Sequence, residues 1–253
     1  MCLAVEMQVE LYYNPSPHDY GKDCFTTEAL ESGTMSFNIS FLMGTSYIPS
    51  ISYSTDDGEN WVTTSNTNNK SSDLVITVNV QEGDKVLWKS NSKRFGGSVD
   101  SADLKIKSSF FSSTCEFDVM GNILSLMYGD NFKNVSYFQP GCNYAFYLFF
   151  KDYRTSNPKD CKVVNARNLI LPEMVVYYCY SYMFYNCASL LTAPELSADT
   201  LDEGCYSNMF NGCSNLNRIK MMATSISATD CLTNWVNGDP AKKNQKKELV
   251  SYS

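Results

Sequence analysis

Histidine is nearly absent from this chain of 253 residues. His18 is the only one, and Pro15, Pro17, Asp19 and Tyr20 give it a loop-like setting. No Gly-x-Ser-x-Gly elbow accompanies it, so the sequence offers no base held beside a nucleophile, and no catalytic residue is assigned. A glycosidase built on two carboxylates stays open on composition alone, because Asp and Glu number 27 and a sequence does not place two of them across a bond. Cations are scarce too: Lys and Arg number 20 and the formal charge is -7. Phosphate neutralisation needs a clustered positive surface, so nucleic acid is not an expected partner. No stretch approaches the roughly 20 continuous apolar residues that span a bilayer. The opening, Met1 to Glu10, has no basic region and is interrupted by Glu6, which argues against a secretory leader. No Cys-x-x-Cys pair occurs, and with one histidine neither a metal nor a cofactor is expected.

What is present is a repeat. Cys179-Tyr180-Ser181-Tyr182-Met183-Phe184-Tyr185-Asn186-Cys187 returns 26 residues later as Cys205-Tyr206-Ser207-Asn208-Met209-Phe210-Asn211-Gly212-Cys213, and Cys231 continues the series. A unit of this size cannot bury its own apolar side, so it stacks on a neighbour and offers an extended surface instead of a deep cleft. The expected core of the stack is Cys179, Met183, Phe184, Cys187, Leu190 and Leu196, then Cys205, Met209, Phe210, Cys213, Leu216 and Cys231. Cys179, Cys205 and Cys231 should share one position on successive turns, and Cys187 and Cys213 another. Free stacked thiols are the expected state, since buried Cys is a small hydrophobe, with a disulfide as the alternative. Within one unit, Cys179 to Phe184 reads as a brief helix and Leu190-Leu191-Thr192 as a short ladder strand. Pro194 ends any helix. Asn143 to Phe150 reads as a diverged first copy, and Val163 to Leu169 parallels Leu190 to Leu196.

Ahead of the repeats the periodicity changes to that of strands. Thr34 to Phe41 alternates polar and apolar residues, as do Leu74 to Val80 and Lys85 to Lys89. Ile51-Ser52-Tyr53-Ser54 and Trp61-Val62-Thr63 flank Asp57-Gly58, a hairpin signal. Phe110-Phe111 and Phe117 to Val119 supply two more strands, with Met120-Gly121-Asn122 as a turn. Asp56, Asp57 and Glu59 are hard ligands in a turn, but their spacing lacks the EF-hand pattern and a solvated turn is favoured over a calcium site. The expected fold is β-rich and two-domain: an arm over 1–23, a β-sandwich-like domain over 24–128, a leucine-rich-repeat solenoid of α/β type over 129–237, and a basic tail over 238–253. The tail carries Lys242, Lys243, Lys246 and Lys247, a solvated group or a dock for an acidic neighbour.

The run Cys179 to Phe184, with Cys187, Leu190, Thr192-Ala193-Pro194-Glu195-Leu196, Thr200-Leu201 and Cys205-Tyr206, resembles the BspA-like leucine-rich repeat family. The likeness is close over Cys179 to Cys213 and extends from about Asn143 to Trp235. It departs from the family pattern at Ser197, where a proline is usual, and at Asn217-Arg218-Ile219-Lys220, where Thr-Ala-Pro is usual. The segment around Tyr53 to Trp61 looks like the small β domains that precede such repeats in gut-bacterial and phage proteins. The resemblance implies surface adhesion and protein binding, with no catalytic residues to carry over. It leaves two settings: a structural or accessory protein of a phage particle presenting a protein- or glycan-binding surface, or a bacterial cell-surface adhesin. Expected partners are other virion proteins, like subunits, or a host surface protein or glycan. An exported adhesin should carry a leader or sorting tail, so the virion setting is the one expected.

Overall fold

The computed structural model describes Asp19 and residues 22–39, 50–65, 74–91, 98–100, 105–107, 109–138, 141–150, 161–236 and 248–250. His18, most of the expected arm and the Lys242 to Lys247 group lie outside them. The described strands are β1 (Phe25–Ala29), β2 (Gly33–Ile39), β3 (Ser50–Ser54), β4 (Val62–Ser65), β5 (Leu74–Val80), β6 (Lys85–Ser90), β7 (Ser98–Asp100), β8 (Lys105–Lys107), β9 (Phe110–Ser113), β10 (Phe117–Asn122), β11 (Asn168–Ile170), β12 (Arg218–Lys220) and β13 (Glu248–Val250). The chain is β-rich. The described helical structure is one turn, α1 (Ser125–Tyr128), and a 3-10 segment over Gly129–Asn134.

Two sheets hold most of the strands, a six-stranded one in the order β11-β10-β1-β6-β3-β4 and a three-stranded one in the order β5-β2-β9. The alternation of β5 becomes a strict buried and exposed pattern, because one face meets the core and the other meets water. Between the sheets lies a layer of aromatic rings. Trp88 of β6 meets Phe37 of β2 at 5.6 Å and Phe111 of β9 at 5.7 Å. Its buried indole N–H donates to Thr27 Oγ1 at 3.0 Å, so the polar edge of the ring is satisfied. Ser125 ties α1 to the layer, accepting from the Phe25 N–H at 2.8 Å and donating to the Trp88 carbonyl at 3.0 Å. The expected turn at Met120 to Asn122 is instead the end of β10. Gly121 passes so close to the Cys24 carbonyl, at φ 78°, that a Cβ would collide with it.

After α1 the chain coils into four stacked rungs of consecutive turns, over 143–150, 176–187, 202–213 and 228–236. No helix forms over Cys179 to Phe184, contrary to the sequence expectation, and the reason is in the backbone. The N–H groups of Tyr178, Tyr180, Tyr182, Phe184 and Asn186 donate to carbonyls of Glu203, Cys205, Ser207, Met209 and Asn211 on the next rung. Those of Cys179, Ser181, Met183, Tyr185 and Cys187 donate three residues back within their own rung. Sending alternate donors in two directions requires a left-handed residue at every fourth position. Tyr178, Tyr182 and Asn186 supply it here, Gly204, Asn208 and Gly212 on the next rung, and Asp230 and Asn234 on the last.

Side chains repeat with the rungs. Phe146, Tyr180 and Tyr206 form one column of near-parallel rings, with interplanar angles of 8° and 11°. Phe150, Phe184 and Phe210 form a second, with centroids 5.0 and 5.5 Å apart. The first rung joins the sheets directly. Phe111 N–H of β9 donates to the Phe149 carbonyl at 2.7 Å, and β11 pairs in parallel with β10. The stretch expected as a tail contributes β13, paired in parallel with β12. One buried core therefore runs through both regions.

Because Phe184 lies between Phe150 and Phe210 and both Phe184 and Phe210 are fully buried, Phe184→Ala or Phe210→Ala should remove about 3–5 kcal/mol from the unfolding free energy. Chemical denaturation of the full chain measures this, and a loss within a few tenths of a kcal/mol would mean the columns are not packed as described.

Candidate functional site

The twelve residues expected to form the repeat core are all buried: Cys179, Met183, Phe184, Cys187, Leu190, Leu196, Cys205, Met209, Phe210, Cys213, Leu216 and Cys231. Their role is to pack. One expectation about them needs correction, since Cys187 is not a free thiol but is bonded to Cys161. The two occupy the same position on successive rungs with Cα atoms 4.5 Å apart, which is within the reach of a disulfide. Cys213, the next in that column, keeps its thiol and donates to the Phe184 carbonyl at 3.0 Å. Cys179, Cys205 and Cys231 are free and stacked in the other column. Burial pushes the Cys205 thiol up to about 12 and the fully buried Cys179 thiol well above its ordinary value, so neither is a ready nucleophile.

Tyr180 is the one described residue with a buried side-chain polar atom and no partner. Its ring lies between Phe146 and Tyr206 and against Phe138, which leaves the hydroxyl in apolar surroundings.

The outward side of the turn stack is a cluster of half-buried tyrosines. Tyr144 on the first rung stacks on Tyr178 of the second at 5.5 Å and meets Tyr177 edge-on at 5.4 Å. Tyr147 meets Tyr182 at 5.5 Å, and Tyr182 meets Tyr185 at 5.2 Å. Mutual burial, with a hydrogen bond to Tyr177 adding to it, raises the Tyr144 phenol to about 12. Burial also raises the Tyr178 phenol, so these two stay neutral, amphipathic rings at neutral pH. Tyr178 lies flat over Gly204, where any side chain would strike its ring. Tyrosine is abundant, at 17 residues, but abundance alone does not point to these six. The signal that could have found them is the four-residue spacing of Tyr178 and Tyr182 opposite Gly204 and Asn208.

Elsewhere, a concavity of about 630 Å³ beside β6 is lined by Lys22, Lys85, Lys89 and Lys133 with Trp61. Much of its positive charge is met internally. Lys89 Nζ lies 2.7 Å from Asp130 and 3.8 Å above the Trp61 ring, Lys22 pairs with Asp19 at 2.9 Å, and Lys85 reaches Glu28 at 3.7 Å. The Asp56 carboxylate accepts from the Ser54 hydroxyl at 2.6 Å and from the Asn60 N–H and side-chain amide at 2.9 and 2.7 Å. Those bonds hold it down to about 2 and commit its oxygens to closing the turn. Among the described residues no group of three His, Cys, Asp or Glu side chains is arranged to hold a metal ion, and no helix is long and apolar enough to cross a membrane.

Comparison with known proteins gave no matching family model and no significant match to a curated protein or a solved structure.

Two outcomes follow from this chemistry. Tyr180→Phe removes an unpaired buried hydroxyl and copies Phe146 of the same column, so it should leave stability unchanged or raise it by about 1–2 kcal/mol in denaturant titration; a clear loss would mean that the hydroxyl has a partner. Peptide mapping without reductant should recover Cys161 linked to Cys187, while Cys179 and Cys205 label slowly in the native chain and rapidly after unfolding. Fast native labelling of both would contradict their burial.

Proposed function

We propose that this chain is a non-enzymatic display protein, in which a β-sandwich-like region carries a short BspA-like leucine-rich-repeat solenoid whose tyrosine side engages a protein or glycan on another surface. Its setting in this reading is a phage particle, as a structural or accessory subunit. The observation that supports it most is backbone strain under aromatic side chains. Tyr144, Tyr178 and Tyr182 sit at φ 58°, 52° and 59°, where glycine and asparagine are comfortable and a bulky residue is rare. Asn186, Asn208 and Gly212 hold equivalent turns without aromatic rings, so folding alone does not require Tyr there. Strain of this kind concentrates where a surface has work to do, and rigid aromatic rings are common binding anchors. The Cys161–Cys187 bond suits a protein that ends up outside a reducing cytoplasm.

Asparagine tolerates the left-handed backbone, so Tyr144→Asn and Tyr182→Asn separate binding from folding. Full-length protein carrying both changes should keep the wild-type thermal midpoint within a few degrees and lose at least about tenfold in affinity for host cells, on the scale of two interface anchors. Fractionation of the native source with an antibody to this chain then decides the setting. Recovery with intact particles supports the phage reading, and recovery only on washed host cells replaces it with the adhesin. Equal cell binding by wild type and the double variant would remove the tyrosine surface from the proposal.

A further inference from the structure

The two larger sheets end in β11, β4, β5 and β9, and three of these edges are closed or blunted. β9 is closed by the first rung, through the Phe111 N–H on the Phe149 carbonyl at 2.7 Å. β11 continues into the ladder, where the Ala166 N–H just before it donates to the Thr192 carbonyl at 2.9 Å. β4 is four residues long, and so short an edge offers little to pair with. β5 has no such protection. It runs seven residues, Leu74 to Val80, without the charge, proline or bulge that usually keeps an edge from pairing. Among the described residues β2 is its one strand partner, and no further hydrogen bond reaches its outer backbone row. Val75, on the face turned away from the core, is 53% exposed.

We infer that β5 is a self-pairing edge, along which a second copy of this chain adds its own β5 in antiparallel register about a twofold axis at Thr77. The occupant is a second copy because the strand is complementary to itself. About that axis Leu74 meets Val80 and Ile76 meets Val78 on the buried side, while Val75 meets Asn79 and Thr77 meets its own counterpart on the outer side. Buried positions therefore continue buried positions from one copy to the next. A slip of one residue would turn the partner's apolar row to water, and a slip of two keeps the faces but shortens the ladder. A twofold contact also sets any charge near its axis against its like, and β5 carries none. Thr77 already shares a hydroxyl bond of 2.9 Å with Ser36 of β2, so a Thr77 pair extends a row of hydroxyls across the joined sheets. Because β9 is closed by the first rung, each copy offers one such edge, and assembly stops at a dimer in which two three-stranded sheets become one. The inference does not rest on the display reading and shares no residue with the tyrosine cluster.

The test is the oligomeric state of the full chain, read by sedimentation equilibrium and light scattering on dilution from about 100 µM, because a dimer of this kind follows mass action. The wild type should be dimeric at the top of that range and dissociate on dilution. Thr77→Lys and Thr77→Glu each set like charges face to face at the axis and should weaken the dimer by at least about tenfold. Mixing the two variants should restore dimerisation as a mixed pair, a result that a folding defect in either one does not produce. Val62→Lys places the same charge on the exposed face of β4 and should dimerise as the wild type does. Hydrogen exchange on the unmodified chain gives a second reading: alternate amides of β5 should exchange slowly at high concentration and faster on dilution. A monomeric wild type at the top concentration, a dimer that Thr77→Lys leaves as tight as before, or β5 exchange that does not change with concentration would overturn the assignment.

Discussion

The structure depends on how the turn segments divide their backbone donors. Each rung sends alternate N–H groups to its own carbonyls and the others to the next rung, with bonds of 2.7 to 3.3 Å between rungs. Buried amides need partners, and this division supplies them in two directions without a helix or a conventional strand. The cost is a left-handed residue at every fourth position, and much else follows from it. The spacing fixes which side chains point inward, so aromatic rings fall over aromatic rings and sulfur over sulfur. Two cysteines bond because the geometry sets successive copies of one position side by side.

The same division explains why the stack starts where it does. A first rung needs something to receive bonds from on its open side, and β9 provides it through the Phe111 N–H on the Phe149 carbonyl. Phe149 and Phe150 then reach into the ring layer, where Phe149 meets Phe25 at 5.7 Å and Phe150 meets Phe117 at 6.2 Å. β10 performs the corresponding service on the ladder side by pairing in parallel with β11. The sheets are thus more than a neighbour of the repeats. They close the first rung chemically and lend it a core that is continuous with the aromatic layer around Trp88.

Period was legible in the sequence, and conformation was not. The strict copies at Cys179 and Cys205 gave the stacking direction, and alternation gave β2, β5 and β6 within a residue or two. The first rung was harder, because extra residues between Phe150 and Cys161 throw its two halves out of step with the later copies. The brief helix expected at Cys179 to Phe184 failed because apolar spacing alone does not distinguish a helical turn from a chain of left-handed corners. Gly204, Asn208 and Gly212 hinted at those corners, but Tyr178 and Tyr182 masked the hint. The disulfide was invisible for a different reason. Cys161, Cys187 and Cys213 lie at equal intervals, so spacing could not say which two would bond.

The left-handed positions also separate what the fold requires from what it permits. Gly204 must be small, since Tyr178 lies on it, and Gly212 must be small, since Asn186 does. Those two glycines serve the backbone. Tyr178 is the reverse case: an aromatic residue placed where the chain would be more relaxed without one, at a penalty on the order of 1–2 kcal/mol. Ring contacts with Tyr144 and Tyr177 return about 0.5–1.5 kcal/mol each. The cluster can therefore be close to neutral for stability while holding six phenols in a fixed array. An array that neither strengthens the fold much nor weakens it is free to be shaped by contact, and in the display role proposed for it such rigidity would lower the entropy lost on binding.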